Sequence, residues 1–358
     1  MKIHPIGETK VILSNPESKH NYFAWPTVAK LQNGRIAVAA SGYRIAHVCP
    51  FGKTVIAFSE DEGETYTNPI PVIDTVLDDR DGGLCTFGES GLIVSSFNTS
   101  TETQWKRYAR GPENPYVASY LNTVTPEENE KYHGSTFRIS YDCGLTYGPI
   151  YKIPVSSPHG PIQLKDGSIL YVGTDHHKKD KPQGEPWKIL AYRLNLDGTS
   201  EYVGEVPGIL IDGEDAQSCE PYAFQLEDGT ILAHIRANTG FNTWQSVSTD
   251  GGKTWTVPEK ILEGPGGAPA HIMQHSSGAL ICAYSCRRPP YGIRLAFSYD
   301  GGKTWDSDHI LYTNETTWDL GYPSTAELSD GSLITVFYGH TVKDAPAVIM
   351  QQKWKIDV

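Results

Sequence analysis

No stretch of eighteen consecutive apolar residues occurs in the 358-residue chain, so no segment reads as a membrane-spanning helix. The opening MKIHPIGETK lacks the apolar core of a secretory signal, and the chain is expected in the cytoplasm or as the product of leader removal. Positive charge is in deficit: 30 Lys and Arg stand against 42 Asp and Glu, a formal net charge of −12. Nucleic-acid and anionic-membrane surfaces need a broad basic face, so neither partner is expected, and an anionic ligand must be held by a local cluster of arginines. Six cysteines (Cys49, Cys85, Cys143, Cys219, Cys282 and Cys286) show no CxxC spacing, which argues against a zinc site or a disulfide framework and for free, mostly buried thiols. DxDxDG spacing is absent as well, and no metal or cofactor is implied.

What the chain has in abundance is turn-forming and aromatic residues, with 35 Gly, 24 Pro and 20 Tyr, the mark of a turn-rich globular protein. One phrase recurs: STDGGKTW at 248–255 and SYDGGKTW at 298–305, with weaker copies SEDEGETY at 59–66 and SYDCGLTY at 140–147. Each copy lies between two strand-like runs, the setting of a β-hairpin turn. Asp accepts hydrogen bonds from turn amides, Gly takes the positive φ, and the aromatic residue folds back over the hairpin.

A second phrase, a leucine or its substitute followed by a polar Gly turn and an aliphatic run, sets the period. It occurs six times: LQNGRIAVAA (31–40), FGESGLIVSS (87–96), LKDGSILYVG (164–173), LEDGTILAHI (226–235), HSSGALICAY (275–284) and LSDGSLITVF (328–337). Units of roughly fifty to seventy residues, each a hairpin followed by further strands, point to propeller blades. The expected fold is all-β: a single six-bladed β-propeller over 1–358. The strand at 8–13 (ETKVIL) is expected to close the ring beside the C-terminal blade and so remove an open sheet edge.

In such a ring the residues before each hairpin and after its second strand gather at one end of the axis. The entries read AWP (24–26), DDRDGG (78–83), SPHG (157–160), CEPY (219–222), APAH (268–271) and GYPS (321–324). The exits include SGYRIAH (41–47), GTDHH (173–177), IRAN (235–238) and SCRRPP (285–290). Charged groups recurring between apolar strands must pair or face a wet pocket.

Four box-like turns in frame with six hairpins resemble the sialidase (neuraminidase) superfamily of glycosidases, whose blades carry Asp-box turns; the resemblance covers essentially the whole chain. CEPYAFQLEDGTILAHIR is similar to the family segment bearing a glutamate and the second arginine of a three-arginine cluster, which implies Glu220 and Arg236. GYPSTAELSDG is similar to the segment bearing the tyrosine nucleophile, here Tyr322. SCRRPPYGIRLAFSYDGG resembles the stretch with the third arginine, assigned to Arg288, with Arg287 and Arg294 as alternatives. The implied chemistry is removal of a terminal sugar with retention of configuration. A neutral phenol activated by a carboxylate avoids the repulsion that an anionic nucleophile would meet at an acidic sugar, and arginines clamp the sugar's carboxylate.

Two places depart from the family pattern. The first clamp arginine belongs to an Arg-Ile-Pro motif, but the matching residues are Ala24-Trp25-Pro26, and the stretch SGYRIAHVCPFG has no aspartate to serve as acid/base. His47 is the nearest titratable substitute and Arg44 is placed to reach the empty clamp position. Trp25, Arg80 and His159 complete the expected sugar contacts. The trio His159, His176 and His177 suggests sugar contact or polar corners rather than metal, and HHKKDKP (176–182) reads as a solvated loop. Each assignment has a structural competitor: Glu220 and Arg236 as a buried ion pair, Tyr322 as a packed core tyrosine. A sialidase-like exo-glycosidase acting on an acidic or unusual sugar is the first expectation. A hydrolase or lyase of uronate-containing glycans using His47, and a propeller that binds carbohydrate without turnover, are the alternatives.

Overall fold

A computed structural model describes residues 2–107, 114–175, 186–263, 269–314 and 317–357. Six four-stranded antiparallel sheets follow one another along the chain. Blades 1 to 5 span 22–73, 78–153, 162–206, 218–262 and 271–314; blade 6 is built from 321–356 together with the N-terminal strand. A two-stranded hairpin, Leu210–Ile211 with Glu214–Asp215, sits between blades 3 and 4. First strands of neighbouring blades touch around a common axis, with the second strand of blade 3 making the contact to blade 4. The all-β, six-bladed architecture expected from the two repeats is the architecture found.

Second strands are buried on both faces, and their alternation serves two neighbours at once. In Ile36–Arg44, the side chains of Ile36, Val38 and Ala40 pack into the cluster shared with blade 6, while Ala37 and Ala39 pack into the cluster shared with blade 2. Comparable clusters join blades 2 and 3, 3 and 4, 4 and 5, and 5 and 6. The period of two along a strand is thus what welds one sheet to the next.

The recurring Ser-x-Asp phrase does more than close a hairpin. In blade 4 the Asp250 carboxylate accepts from the amides of Lys253 and Thr254 and from Thr254 Oγ1, while Ser248 Oγ accepts from the Gly252 amide. The copies at Asp61, Asp142 and Asp300 repeat the arrangement. Gly63, Gly144, Gly252 and Gly302 all take positive φ, as the turn demands. Each box also reaches the preceding blade. Gln351 Nε2 donates to Gly63 O, Arg35 Nη2 to Cys143 O and Gln245 Nε2 to Gly302 O, and Trp255 packs into the core shared with blade 3. The six cysteines are unpaired and five of them are buried. His176, His177 and the run 176–182 lie outside the described residues.

The closing strand is longer than the ETKVIL segment: Ile3–Leu13 pairs antiparallel with Ala347–Ile356, with two register irregularities. Blade 2 carries an insertion between its second and third strands with three short helices, α1 (Thr101–Arg107), α2 (Pro115–Leu121) and α3 (Pro126–Tyr132). The last opens on a Thr125/Glu128 capping box with Pro126 in its first turn, a signature legible in TPEE.

Leu13 is 2% exposed in the core between blades 6 and 1, whereas Val11 is 44% exposed on the same strand. Leu13→Ala is expected to cost about 2–4 kcal/mol and Val11→Ala within about 0.5 kcal/mol. Urea unfolding of the two variants measures this, and equal costs would show that the N-terminal strand does not seal the ring.

Candidate active site

One feature of the backbone is common to four first strands. In blade 4 the register runs Cys219 opposite Arg236, then Tyr222 opposite His234, so three steps on one strand match two on the other. Blades 1, 2 and 6 have the same one-residue bulge, between Ala24 and Thr27, Arg80 and Gly83, and Gly321 and Ser324. The extra residue takes the left-handed conformation in every case: Trp25 at φ 56°, Asp81 at φ 52°, Glu220 at φ 47° and Tyr322 at φ 53°. Non-glycine residues avoid this region, and each costs about 1–3 kcal/mol unless its surroundings over-determine it. All four line one cavity of about 860 Å³ at the end of the axis, near the upper end of the ~300–1,000 Å³ that small-molecule sites occupy.

Glu220 is the hub. Tyr322 OH donates to its Oε1 at 2.6 Å and Arg236 Nη1 donates to its Oε2 at 2.5 Å. Burial alone would raise the Glu220 pKa, but the Arg236 charge and the Tyr322 hydrogen bond outweigh it and hold the carboxyl below its ordinary value. Burial and then the Glu220 charge push the Tyr322 phenol well above its ordinary value. At neutral pH a protonated phenol therefore faces an ionised carboxylate across a short hydrogen bond.

Arg287 also lines the cavity, its guanidinium 5.8 Å from the Tyr322 ring, with Nε donating to Leu320 O and Nη2 to Tyr338 OH. Arg80 lies over the Trp25 indole at 4.0 Å and donates to His47 O. The cavity wall thus carries Arg80, Arg236 and Arg287, and the Nε atoms of Arg80 and Arg236 are buried without a hydrogen-bond partner.

His47 stands in the wall with its side chain 40% exposed. Its Nδ1 meets Tyr22 OH at 2.9 Å and Asp319 Oδ1 at 3.4 Å. Asp319 also accepts from Tyr22 OH and Tyr338 OH and meets His340 Nε2. Burial would raise the Asp319 pKa, yet the hydrogen bonds from His340 and His47 drive it far below the carboxylate range. His47 moves the other way from a cation: burial lowers its pKa, Asp319 opposes this, and Arg80 and Arg44 add to it.

Four assignments need correction. Arg44 is fully buried and forms a two-bonded ion pair with Asp78, to which Gln104 of α1 also donates; it supports the site and does not enter it. Arg288 points to Phe241, and Arg294 is buried among the carbonyls of Pro290 and Tyr312, so the cavity arginine of that stretch is Arg287. His159 is fully buried, bonded to Thr27 and packed edge-on to His271, because Gly160 takes the positive-φ position in blade 3. Trp25 lines the cavity, but at 1% exposure, with the guanidiniums of Arg80 and Arg44 against its ring, it is a strut and not an open sugar platform. Half-exposed Trp187 and Trp318 are the tryptophans at the rim.

Sequence reasoning missed Asp81, Asp319 and the blade 2 insertion, which brings Glu102, Thr103, Asn129 and His133 to the wall. Asp81 was legible: alignment of the entries on the residue before Pro or Gly puts Trp25, Asp81, Gly160, Glu220 and Tyr322 in one column. Among the described residues no cluster of metal-ligating side chains is present.

Residues 123–335 match the family model described as a BNR repeat-like domain. Comparison with curated protein sequences gives no match. Among solved structures, a protein of unknown function from Dyadobacter fermentans superposes with a TM-score of 0.78 at 21% identity over 99% of both chains. The NanB sialidase from Streptococcus pneumoniae gives 0.69 at 13% identity, over 98% of this chain and 71% of that one. An α-L-arabinofuranosidase from Fusarium graminearum gives 0.62 at 11% identity, over 97% of both. At these identities the likeness is one of fold, shared with glycosidases of two kinds, and it agrees with the sialidase-type propeller read from the repeats.

Removing one partner of a largely buried ion pair is costly, whereas removing one neutral hydroxyl is not. Glu220→Gln is expected to lose about 3 kcal/mol and Tyr322→Phe about 1 kcal/mol in chemical unfolding. The folded pKa of Glu220 is depressed, so its contribution is complete above the unfolded value of 4.5 and disappears as pH falls through the folded value. Glu220→Gln should remove that part of the acid sensitivity, and unchanged acid unfolding would show the pair to be energetically idle.

Proposed function

The chain belongs to the BNR repeat-like domain family, and we propose that its axial cavity is the active site of a retaining exo-glycoside hydrolase acting on a terminal acidic sugar. The observation that carries this reading is the linear arrangement Tyr322, Glu220, Arg236, with the phenol proton already shared with the carboxylate at 2.6 Å. Tyr322 Oη attacks the anomeric carbon while its proton passes to Glu220, so no anionic nucleophile approaches an anionic sugar. Arg236 and Arg287 hold the sugar carboxylate by charge-assisted hydrogen bonds, and Arg80 adds a third positive charge from blade 2. His47, braced at Nδ1 by Tyr22 and Asp319, contacts the sugar ring or takes part in proton transfer.

Blade 1 offers Ala24, fully buried, where a sialidase-type clamp arginine would stand. A sialic acid would lose one set of charge-assisted bonds, each worth about 1.5–3 kcal/mol. Poor cleavage of simple α-sialosides is therefore expected, with turnover on another acidic sugar. A panel of aryl α-sialosides and uronides, with product configuration followed by NMR, is the test. Wild-type turnover should proceed with retention and fall by about 10³-fold or more in folded Tyr322→Phe. Efficient sialoside turnover would return the protein to ordinary sialidase specificity. An unsaturated uronate product would mark a lyase, and tight glycan binding without turnover would mark a lectin.

A further inference from the structure

From the cavity geometry we infer that Asp81 is the proton donor to the departing oxygen and the acceptor of the water proton in the second step. This inference rests on the hydrolase reading above. Asp81 occupies on blade 2 the bulge position that Glu220 and Tyr322 occupy on blades 4 and 6, and it lines the same cavity. Asp81 is 3% exposed, and its Oδ1 is buried without a hydrogen-bond partner. A buried carboxyl oxygen left unsatisfied is costly, and a strained left-handed backbone that turns it into a ligand cavity adds to that cost. A ligand oxygen supplies the missing partner. Burial, opposed by Arg80 and reinforced by Glu220, brings the Asp81 pKa to about 7, so both protonation states are available near neutrality. His47 is a poorer donor, because burial lowers its pKa and leaves it neutral there.

In the first step the Tyr322 oxygen bonds to the anomeric carbon and its proton goes to Glu220. The glycosidic C–O bond breaks, and the Asp81 proton goes to the leaving oxygen, which departs as an alcohol. In the second step water attacks the anomeric carbon and yields a proton to Asp81, the bond to Tyr322 breaks, and Glu220 returns the phenol proton. The net change is glycoside plus water to free sugar plus alcohol.

The test compares 4-methylumbelliferyl and 2,4-dinitrophenyl glycosides of the sugar the wild type cleaves. Asp81→Asn should lower kcat/KM on the first by about 10²–10⁴-fold and on the second, whose leaving group needs no proton, far less. Asp81→Glu should restore part of the loss. The fall of wild-type kcat/KM above pH ~7, where Asp81 loses its proton, should be absent in Asp81→Asn on the dinitrophenyl substrate. Carboxyl ¹³C NMR of aspartate-labelled protein supplies a readout independent of turnover: one resonance, absent in Asp81→Asn, should titrate near 7. Equal losses on both leaving groups, no loss on either, or titration of that resonance near 4 would overturn the assignment while Tyr322→Phe still reports on the hydrolase reading. A wild type that turns over no glycoside overturns the hydrolase reading and the role of Asp81 with it.

Discussion

The site depends on a single constraint, repeated around the ring: one extra residue in the first strand of a blade, held at positive φ. A regular strand would send alternate side chains into the two neighbouring blades, and none along the axis. The bulge breaks that alternation and turns one side chain toward the open end. The strain is supported locally. Thr174 Oγ1 accepts from the Glu220 amide, Ser157 Oγ donates to Pro221 O, and Ser96 Oγ donates to Arg80 O. Buried hydroxyls from nearby segments thus take up backbone groups that the interrupted ladder leaves free.

Around these four residues the polar groups are fixed by partners in the cavity wall and behind it. Trp25 is held against two guanidiniums, Arg44 is neutralised by Asp78, and Asp78 is tied to the helical insertion through Gln104. Next to them Asp319 gathers Tyr22, Tyr338, His340 and His47. A half-buried carboxylate with this many donors is a rigid anchor, because moving any one of them leaves charge without compensation. The insertion of blade 2 therefore shapes the cavity wall and also buttresses its floor.

The fold was legible because both repeats are local: a hairpin phrase and a turn phrase each carry their own physics within about ten residues. The site was legible only in part. Glu220, Arg236 and Tyr322 were found because their segments resemble a family, whereas Arg288 was chosen over Arg287 by one position. Both lie in the loop that follows the Leu280–Cys286 strand, where no strand period indicates which side chain turns to the cavity. Arg44 was misread for a different reason: its partner Asp78 lies thirty-four residues away on another blade, and no local pattern announces a long-range ion pair. His159 failed because Gly160, not His159, takes the positive-φ position in that blade. Asp319 was invisible because it lies in an irregular segment just before blade 6, outside both repeats.

Blades 1 and 2 contribute unequally to the charge of the cavity. Blade 1 has neither an arginine nor a carboxylate at the cavity and contributes Trp25, His47 and Val48. Blade 2 supplies both, adjacent in sequence as Arg80 and Asp81, with the guanidinium lying on the indole. Trp25 is thus the surface on which the Arg80 guanidinium rests, and a cation over an indole face is a favourable arrangement. An arginine reaching in from blade 2 meets a bound anion from a different direction than one rising from blade 1. With Asp81 in the role inferred above, proton transfer falls on the same side of the cavity as that arginine. On the two proposals made above, the substrate presents its leaving group and part of its negative charge toward blade 2, a demand on shape that total charge alone does not make.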